Sequence, residues 1–446
     1  MYNREASPLD LAAVDPIGSA ARSPLGIMQR SRATSESADS ESASQESAAQ
    51  KSVAAPHAGV SAPIVVAGQE LTLYAESPPL IAAMIDDVRL AQSRVWLETY
   101  IYADDAAGRA MAEALAERAR AGLDVRLMVD AWGSFSTPNS LFNKLRAAGV
   151  KVHLFHAFWE AFYAFRFLEV LNQRDHRKLL VVDDTIAYFG GMNVVDQSGI
   201  HTKADAKSRH LPASAGWRDV HVRMVGERQA EIAAIFARLW NRVHHLPQET
   251  REPRWPGEEM LLAPEDTLWF FDTRPLNKWR RPFRILAPLI RLARRDITLA
   301  VAYFIPLGRV LRELFKARRR KVRVTVIVPG ESDVKVVQWA ARHCYEFLLK
   351  RGFRIYERSD RMLHSKAMVI DGRWSMIGSL NLDARSLRLN LEFFAIAHSR
   401  PLAEALLAIC REEIAASRRI DPEYVRARSR WQRWLDRAAW NLRKWL

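Results

Sequence analysis

The sequence predicts an α/β fold that is duplicated internally: two α/β/α sandwich domains with mixed sheets, related by a pseudo-twofold axis. Three observations predict it. Short aliphatic and β-branched segments alternate with amphipathic segments of helical length along most of the chain. One motif is written twice, beginning at residues 176 and 364. The order of predicted strands and helices is the same in both halves. We therefore expect one site on the axis, at the interface between the halves.

The repeated motif is H-x-K-x-x-x-x-D, followed by a turn and by G-[GS]-x-N. In both copies the Asn lies 17 residues after the His, at 193 after 176 and at 381 after 364. The motif residues are His176, Lys178, Asp183, Gly191 and Asn193 in the first copy and His364, Lys366, Asp371, Ser379 and Asn381 in the second. A single H-x-K on a strand is most often an ordinary surface feature. Two copies with the same downstream spacing make chance a poor explanation.

The residue pattern predicts the local geometry of each copy. Each Lys runs into aliphatic residues that indicate a buried strand, on which side chains at i and i+2 share one face. The His and Lys of one copy therefore point the same way. The Asp stands at an odd offset from the His and opens a turn, so we expect Asp183 and Asp371 to hold the turn or the Lys. Small residues at Gly191 and Ser379 leave room for a ligand to approach backbone N–H groups.

Two His, two Lys and two Asn around one point suit a phosphodiester. Ammonium and amide groups neutralise and hydrogen-bond the non-bridging phosphate oxygens. One imidazole attacks phosphorus while the other protonates the leaving oxygen. The lysines would lie where a cation otherwise would, and the sequence contains no H-x-x-x-H and no clustered carboxylate ligands. We therefore expect neither a metal nor another cofactor.

A carboxylate follows on a third predicted strand in each half, Asp219 after the first copy and Glu392 after the second. A catalytic His needs an acceptor for its second ring nitrogen, which fixes the tautomer and raises the basicity of the ring. We predict that Asp219 serves His176 and that Glu392 serves His364. The alternative is that both are ordinary carboxylates at strand ends.

These residues carry a resemblance to a known family. The two copies are similar to the HKD motifs of the phospholipase D superfamily. The wider context resembles its bacterial cardiolipin synthases, most closely the B type, which lacks membrane-spanning N-terminal helices. The resemblance covers roughly residues 70 to 420, and the other matching segments are 98–102 (ETYIY), 217–219 (WRD), 302–306 (AYFIP), 381–386 (NLDARS) and 390–392 (NLE). At Ala384, on a turn, the family commonly has Pro, and this departure leaves the chemistry untouched.

The resemblance implies two phospholipase D-like domains and an enzyme of phospholipid biosynthesis. It implies transfer of a phosphatidyl group between two phosphatidylglycerol molecules, which gives cardiolipin and glycerol through a phosphatidyl-histidine intermediate. The commoner assignment in the superfamily makes His176 the nucleophile and His364 the acid and base, although the pseudo-symmetry leaves the two reversible. The Lys and Asn of both copies would clamp the phosphate. The resemblance also counts Asp183 and Asp371, the Asp of each HKD motif, among the catalytic residues.

Other functions remain open at this point. A phospholipase D would pass the same intermediate to water and release phosphatidic acid, and a nuclease of the superfamily would act on nucleic acid. A membrane-binding scaffold without activity is disfavoured, because degenerate relatives should lose a His or a Lys. Within a synthase, the acceptor of the second half-reaction is open among phosphatidylglycerol, phosphatidylethanolamine, glycerol and water.

The composition indicates an anionic partner. The 446-residue chain carries a net charge of +15 and is 49% apolar, as expected for a globular protein that meets an acidic membrane surface or nucleic acid. Its aromatic segments favour lipid, so we expect anionic phospholipids, phosphatidylglycerol above all, as partners and no nucleic acid. No apolar run reaches 18 residues. We therefore predict a peripheral enzyme of the bacterial inner membrane, on its cytoplasmic side.

We predict five segments along the chain. Residues 1–62 form a disordered Ser- and Ala-rich tail, 63–246 the first domain, 247–265 a Pro-rich linker, 266–420 the second domain and 421–446 a basic, Trp-rich amphipathic helix. That helix would lie in the membrane interface or else pack on the protein. The aromatic residues 155–167 would line the mouth of the site and accept acyl chains, or else pack on the core. Residues 334–350 are predicted as one helix.

Overall fold

The computed structural model describes residues 59–156, 173–196, 217–247, 258–273, 282–306 and 308–443. These residues belong to one compact unit, Ala55–Leu446. Residues 1–58 of the predicted tail, residues 157–167 of the predicted mouth segment and residues 248–257 of the predicted linker lie outside the described residues. The expectations for these three segments stay predictions, as do the limits of the two domains.

The first half of the chain is built on a mixed sheet of eight described strands. Their order across the sheet is β1-β2-β8-β7-β6-β3-β4-β5. Strands β3, β4 and β5 are parallel to one another, and the remaining neighbours are antiparallel. The strands are β1 (Ile64–Val66), β2 (Gln69–Glu76), β3 (Arg94–Thr99), β4 (Asp124–Asp130), β5 (Lys151–Phe155), β6 (Leu179–Val182), β7 (Ile186–Gly190) and β8 (Arg218–Val225).

The second half repeats this plan, which confirms the predicted duplication. Its eight described strands follow the order β16-β12-β11-β10-β13-β14-β15-β9, and β10, β11 and β12 are the parallel set. Strands β13, β14 and β15 therefore correspond to β6, β7 and β8. The strands are β9 (Thr267–Asp272), β10 (Asp296–Val301), β11 (Arg323–Pro329), β12 (Arg354–Arg358), β13 (Lys366–Ile370), β14 (Trp374–Gly378), β15 (Phe393–His398) and β16 (Ser417–Ile420).

Helices connect the parallel strands and cover both faces of each sheet. The described α-helices are α1 (Ser77–Leu90), α2 (Ala106–Arg120), α3 (Asn139–Ala147), α4 (Gln229–Val243), α5 (Phe283–Leu292), α6 (Gly308–Arg319), α7 (Lys335–His343), α8 (Tyr345–Leu349), α9 (Ala384–Arg388), α10 (Arg400–Ala415), α11 (Pro422–Ala427) and α12 (Arg430–Asn441). In these ranges no helix has both the length and the apolar character that a bilayer span requires. The single helix predicted over residues 334–350 is two helices, α7 and α8, which meet at Cys344.

The two halves share a central core. Apolar residues of both sheets pack there with helices α4 and α10, while separate outer cores lie beneath α1 and α2 in the first half and α5 and α6 in the second. At the centre, the ring of Phe393 lies 5.4 Å from that of Phe189 and 6.0 Å from that of Phe270. Because these rings come from both halves, burying them holds the halves together.

The C-terminal segment differs from the single helix predicted over residues 421–446. The chain leaves α11 at Arg428, and Ser429 begins α12 with a capping box, in which its side chain accepts the N–H of Gln432. This cap starts a new helix instead of continuing the old one. Helix α12 packs on α7 through Ala439, while Trp431 and Trp434 stack on each other and are 65% and 56% exposed. Packing on the protein, one of the two predicted alternatives, is therefore observed on one face, and the location of the other face in a membrane interface stays a prediction.

Replacement of Phe393 tests the shared core. We expect Phe393→Ala to lower the free energy of unfolding by about 3–5 kcal/mol, because it leaves a cavity where rings from both halves meet. Urea denaturation measures this difference. The matched control is Phe347→Ala, since Phe347 is 43% exposed on α8 and its loss should cost about 1 kcal/mol or less. Equal losses for the two variants would contradict a shared central core.

Candidate active site

The two His-Lys pairs are held at the starts of equivalent strands. His176 and Lys178 directly precede β6, and His364 directly precedes the segment in which Lys366 begins β13. All four side chains are buried, with His176 the most exposed at 8%. The ammonium group of Lys178 donates to the main-chain oxygen of its own His at 2.7 Å, and Lys366 does the same in the second half. This confirms that the His and Lys of each copy lie close together.

Backbone hydrogen bonds cross between the halves at each His. The N–H of His176 donates to the oxygen of Leu391 at 2.9 Å, and the N–H of Leu391 donates to the oxygen of Arg174 at 2.8 Å. In the same way, the N–H of His364 donates to the oxygen of Arg218 at 2.7 Å. Parallel bridges therefore join each His-bearing segment to the carboxylate-bearing segment of the opposite half. Asp175 pairs with Leu391, and Leu363 pairs with Arg218.

The histidine–carboxylate pairs are consequently crossed. Nδ1 of His176 lies 3.1 Å from Oε2 of Glu392, and Nδ1 of His364 lies 2.7 Å from Oδ2 of Asp219. The predicted pairing of each His with the carboxylate of its own half is wrong. The reason lies in the backbone hydrogen bonds. Leu391 lies beside His176, so the next residue, Glu392, faces that His. Arg218 lies beside His364, so Asp219 faces that one. The proposed role of both carboxylates as acceptors fits this geometry.

Lys366 takes part in the second pair. Its Nζ lies 3.4 Å from Oδ2 of Asp219 and 2.6 Å from Nδ1 of His364. An ammonium group donates only, and Nδ1 carries the proton that His364 donates to Asp219. We therefore assign the ammonium to the carboxylate and to the main-chain oxygen of His364. The other ring nitrogen, Nε2, lies 3.1 Å from the same ammonium group and is the nitrogen available for chemistry, because the neutral ring accepts a proton there and the imidazolium donates one.

The small residues after each motif meet the carboxylates. A Cβ atom on Gly191 would lie 2.1 Å from Oδ1 of Asp219, so only Gly fits there. At the equivalent position, Ser379 donates its hydroxyl to Glu392, and Asn390 donates to the other oxygen of that carboxylate at 3.2 Å. Gly191 and Ser379 were predicted to orient phosphate. The structure instead places both against the carboxylates. Gly191 makes room for Asp219, and Ser379 holds Glu392 by a hydrogen bond.

The two motif asparagines are buried near the same centre. Oδ1 of Asn193 accepts the N–H of Ile101 at 3.1 Å, and among the described residues its amide N–H groups donate to no other residue, as an amide that meets an anion requires. Asn381 is 1% exposed, and its Oδ1 has no hydrogen-bond partner among the described residues. Their predicted part in binding phosphate stays a prediction.

The motif aspartates lie away from the histidines. Asp183 accepts the N–H groups of Gln92 and Ser93, at 2.9 and 2.8 Å, and Asp371 accepts those of Arg294, Arg295 and Asp296 at 2.7–2.8 Å. Each ends the strand that its His precedes, and seven residues of extended chain span roughly 20 Å. Counting them among the catalytic residues is wrong. They hold the turn, as their odd offset predicted, and they do not hold the Lys.

Aromatic side chains, to which the motifs alone assign no role, line both histidines. The ring of Tyr100 lies 5.0 Å from that of His176, and the rings of Trp217 and Tyr303 lie 5.2 and 6.3 Å from that of His364. Tyr100 and Tyr303 follow the equivalent parallel strands β3 and β10. Their place at the carboxyl ends of these strands is the sequence feature that could have identified them.

The chain is similar in sequence to a known family over both halves. The family model described as "Cardiolipin synthase, PLD-like domain" matches residues 84–206 and 286–413, and so covers both motif copies. The chain belongs to this family. It is 31% identical to cardiolipin synthase B of Escherichia coli over 374 residues, which cover 82% of this chain and 85% of that protein. It is 29% identical to the major cardiolipin synthase of Bacillus subtilis over 356 residues, with 78% and 70% covered.

Membership of the family confirms the predicted resemblance and places the chain among the phosphatidyltransferases of the phospholipase D superfamily. The fold is also that of solved structures with little sequence identity. A phosphatidylserine synthase of Haemophilus influenzae superposes with a TM-score of 0.58 at 14% identity, over 84% of this chain and 95% of that one. A polyphosphate kinase of Porphyromonas gingivalis gives 0.50 at 13% identity, over 77% and 50%. At such identities the likeness establishes the duplicated fold alone.

Burial sets the charge of the first pair. It lowers the pKa of His176 to about 4, against the opposing effect of Glu392, so this imidazole is neutral near pH 7. A neutral ring that donates Nδ1–H to Glu392 presents a lone pair on Nε2, as a nucleophile requires. Burial also lowers the pKa of Lys178 to about 7, although Glu392 opposes this shift.

The second pair has a different balance of charge. Burial and the ammonium of Lys366 lower the pKa of His364, while Asp219 acts to raise it. Burial would raise the pKa of Asp219, but Lys366 and the hydrogen bond from His364 outweigh it and hold that pKa below its usual range. Among the described residues, no group of three His, Cys, Asp or Glu side chains could hold a metal ion. The expectation that no metal is needed stays a prediction.

The pH dependence of kcat/KM tests the crossed pairs. Activity requires neutral His176, so it should fall as the pH drops through about 4. It also requires protonated His364, whose pKa lies below the ordinary imidazole value, and charged Lys178, whose pKa is about 7. The His therefore sets the basic limb, and activity should fall before the pH reaches about 7. Asp219 raises the pKa of His364, and Asp219→Asn should therefore move the basic limb to lower pH.

The matched variant is Glu392→Gln. Because Glu392 raises the pKa of both His176 and Lys178, this variant should move the acid limb to lower pH, which Asp219→Asn should not do. Each variant should also lose activity on the order of a thousandfold, since the fixed tautomer is lost. The prediction is wrong if Asp219→Asn moves the acid limb, as pairing within each half would require.

Proposed function

We propose that the chain is a cardiolipin synthase that transfers a phosphatidyl group from one phosphatidylglycerol molecule to another. The observation that carries the proposal is the pair of crossed dyads, two buried histidines that each face a carboxylate beside a buried Lys. Two His with separate acceptors can act as nucleophile and as acid–base at one phosphorus atom. The family to which the chain belongs, and the activity in the names of its relatives, support the choice of phospholipid over other phosphodiesters.

In the first half-reaction, Nε2 of neutral His176 attacks the phosphorus of phosphatidylglycerol. A nitrogen–phosphorus bond forms and the bond from phosphorus to the glycerol oxygen breaks. Protonated His364 gives its proton to that oxygen, and glycerol leaves. The imidazole of the phosphatidyl-histidine carries a positive charge, which the Glu392 carboxylate stabilises at Nδ1–H. Lys178 and Lys366 offset the negative charge on the non-bridging oxygens.

In the second half-reaction, a hydroxyl group of a second phosphatidylglycerol attacks the same phosphorus. Neutral His364 takes the hydroxyl proton, and Asp219 stabilises the imidazolium that forms. The nitrogen–phosphorus bond breaks, cardiolipin is released, and both histidines return to their starting states. The two dyads have the same form, so their geometry does not distinguish the nucleophile. The choice of His176 follows the commoner assignment of the superfamily.

The proposal includes peripheral association with the bacterial inner membrane, on its cytoplasmic side. The exposed Trp431 and Trp434 of α12, among the arginines of the C-terminal segment, support it. Trp rings at headgroup level and cationic side chains against anionic lipid are a common means of peripheral binding. The net charge of +15 acts in the same direction.

Product analysis tests the reaction. The purified protein is incubated with labelled phosphatidylglycerol vesicles without added metal, and the lipids are resolved by mass. We expect cardiolipin and glycerol, with activity abolished in His176→Ala. Phosphatidic acid alone would make the protein a hydrolase. Absence of lipid turnover, together with cleavage of an oligonucleotide, would make it a nuclease. When phosphatidylethanolamine is added, a second product that contains its headgroup would show that the enzyme accepts more than one lipid in the second half-reaction.

A substrate with an acidic leaving group separates the roles of the two histidines. Phosphatidyl-p-nitrophenol needs no general acid, because nitrophenolate leaves without a proton. His364→Ala should therefore release a burst of nitrophenolate equal to the enzyme concentration and hold the lipid covalently, as seen by intact-protein mass. His176→Ala should give neither. The reverse result would exchange the two assignments.

A further inference from the structure

The loop that follows β4 exposes two large apolar side chains. This loop, residues 131–137, leaves the carboxyl end of β4 and leads to α3. Within it, Trp132 is 50% exposed and Phe135 is 76% exposed. Single exposed apolar residues are common on protein surfaces, but two within four residues form a local apolar surface.

The loop is held firmly in this shape. Oδ1 of the buried Asp130 accepts the N–H groups of Trp132 and Gly133 at 2.9 and 3.1 Å. Oγ of Ser134 accepts the N–H of Tyr102 at 3.0 Å, and Thr137 donates its hydroxyl to the oxygen of the same Tyr. The exposure of the two rings is therefore built into the loop and does not come from a lack of contacts around it.

Two contacts place the loop beside the proposed nucleophile. A Cβ atom on Gly133 would lie 2.2 Å from the oxygen of Tyr100, whose ring lies 5.0 Å from that of His176. The guanidinium of Arg174 lies 5.3 Å from the centre of the Trp132 ring, and Arg174 precedes His176 by two residues. Tyr100 alone separates the loop from His176 along the first route, and Arg174 and Asp175 separate them along the second.

The equivalent loop of the second half has the opposite character. It follows β11, and its exposed side chains include Glu331 and Asp333, with the hydroxyl of Tyr303 donating to Asp333 at 2.7 Å. The loop after β4 thus exposes two aromatic rings, whereas the loop after β11 exposes two carboxylates beside Val334, which is 37% exposed. An anionic bilayer would accept the first surface and repel carboxylates on the second.

We propose that the loop of residues 131–137 inserts Trp132 and Phe135 into the interface of an anionic phospholipid bilayer, at the His176 side of the mouth. The inference rests on the proposed function, since it supplies the point at which a lipid phosphodiester reaches His176 while its acyl chains stay in the membrane. Aromatic rings on a rigid loop suit this interface, where an apolar body and a polar surrounding are both satisfied. The basic character of the chain adds attraction to anionic headgroups.

The test compares binding and turnover in Phe135→Ala. Binding is measured by co-sedimentation with vesicles of phosphatidylglycerol and phosphatidylcholine, and turnover is measured on the vesicles and on a monomeric short-chain phosphatidylglycerol. We expect about tenfold weaker vesicle binding, from the loss of one buried ring, a similar fall in turnover on subsaturating vesicles, and unchanged turnover of the monomeric lipid. Phe135→Trp should restore both losses.

The matched control is Leu90→Ala. Leu90 is 71% exposed and ends α1, at the opposite end of the strands of the same sheet. It should change neither binding nor turnover. Unchanged vesicle binding in Phe135→Ala would overturn the proposal, and more so if Trp431→Ala/Trp434→Ala abolished binding and identified α12 as the whole anchor. An equal loss of turnover on the monomeric lipid would also overturn it, because the loop would then support the active site and not the membrane contact.

The proposed function fails in a different way. If the wild-type protein binds vesicles through Phe135 but forms neither cardiolipin nor phosphatidic acid, the membrane-loop proposal stands and the proposed synthase activity is refuted. If the wild-type protein converts monomeric lipid to cardiolipin and Phe135→Ala binds vesicles as well as the wild type, the synthase proposal stands and the membrane-loop proposal is refuted.

Discussion

The active site depends on two hydrogen bonds that each join a histidine of one half to a carboxylate of the other. His176 with Glu392 and His364 with Asp219 are assembled only when the two sheets meet. Backbone hydrogen bonds between the halves set this register. They pair each His-bearing segment with the residue that directly precedes the carboxylate of the opposite half. Neither half contains a complete dyad, so catalysis and the packing of the halves share one interface.

The interface is secured by more than the dyads. Arg218, which precedes Asp219, is buried and pairs with Glu76, Glu412 and Glu413 at 2.9, 2.8 and 2.6 Å. Glu413 also pairs with Arg358, so the network connects β2, β8, β12 and α10. Buried ion pairs add little net stability but strongly disfavour wrong arrangements, since an unpaired buried charge is costly. This network therefore disfavours other placements of Arg218, the residue before Asp219.

Sequence reasoning reached the duplicated fold, the four His and Lys positions and both acceptor carboxylates, because each depends on local periodicity or on repetition. It could not reach the crossing of the dyads. The motifs are equivalent, so pairing within a half and pairing between halves give the same pattern along the chain, and only the tertiary register distinguishes them. The Asp of each motif was misleading as a catalytic residue because its sequence spacing is constant, whereas its place is about 20 Å along a strand from the His. The break at Cys344 and the cap at Ser429 are local features within segments of continuous helical periodicity.

The most direct measurement of the central claim is nitrogen NMR of the histidine rings, which reports the tautomer and the hydrogen bond of each imidazole. With the side chains labelled with ¹⁵N and assigned through His176→Gln and His364→Gln, the spectrum of Glu392→Gln is compared with that of the wild type. The crossed arrangement predicts that the resonances of His176 move toward those of an exchanging pair of tautomers while those of His364 stay in place. Movement of His364 with His176 unchanged would contradict it.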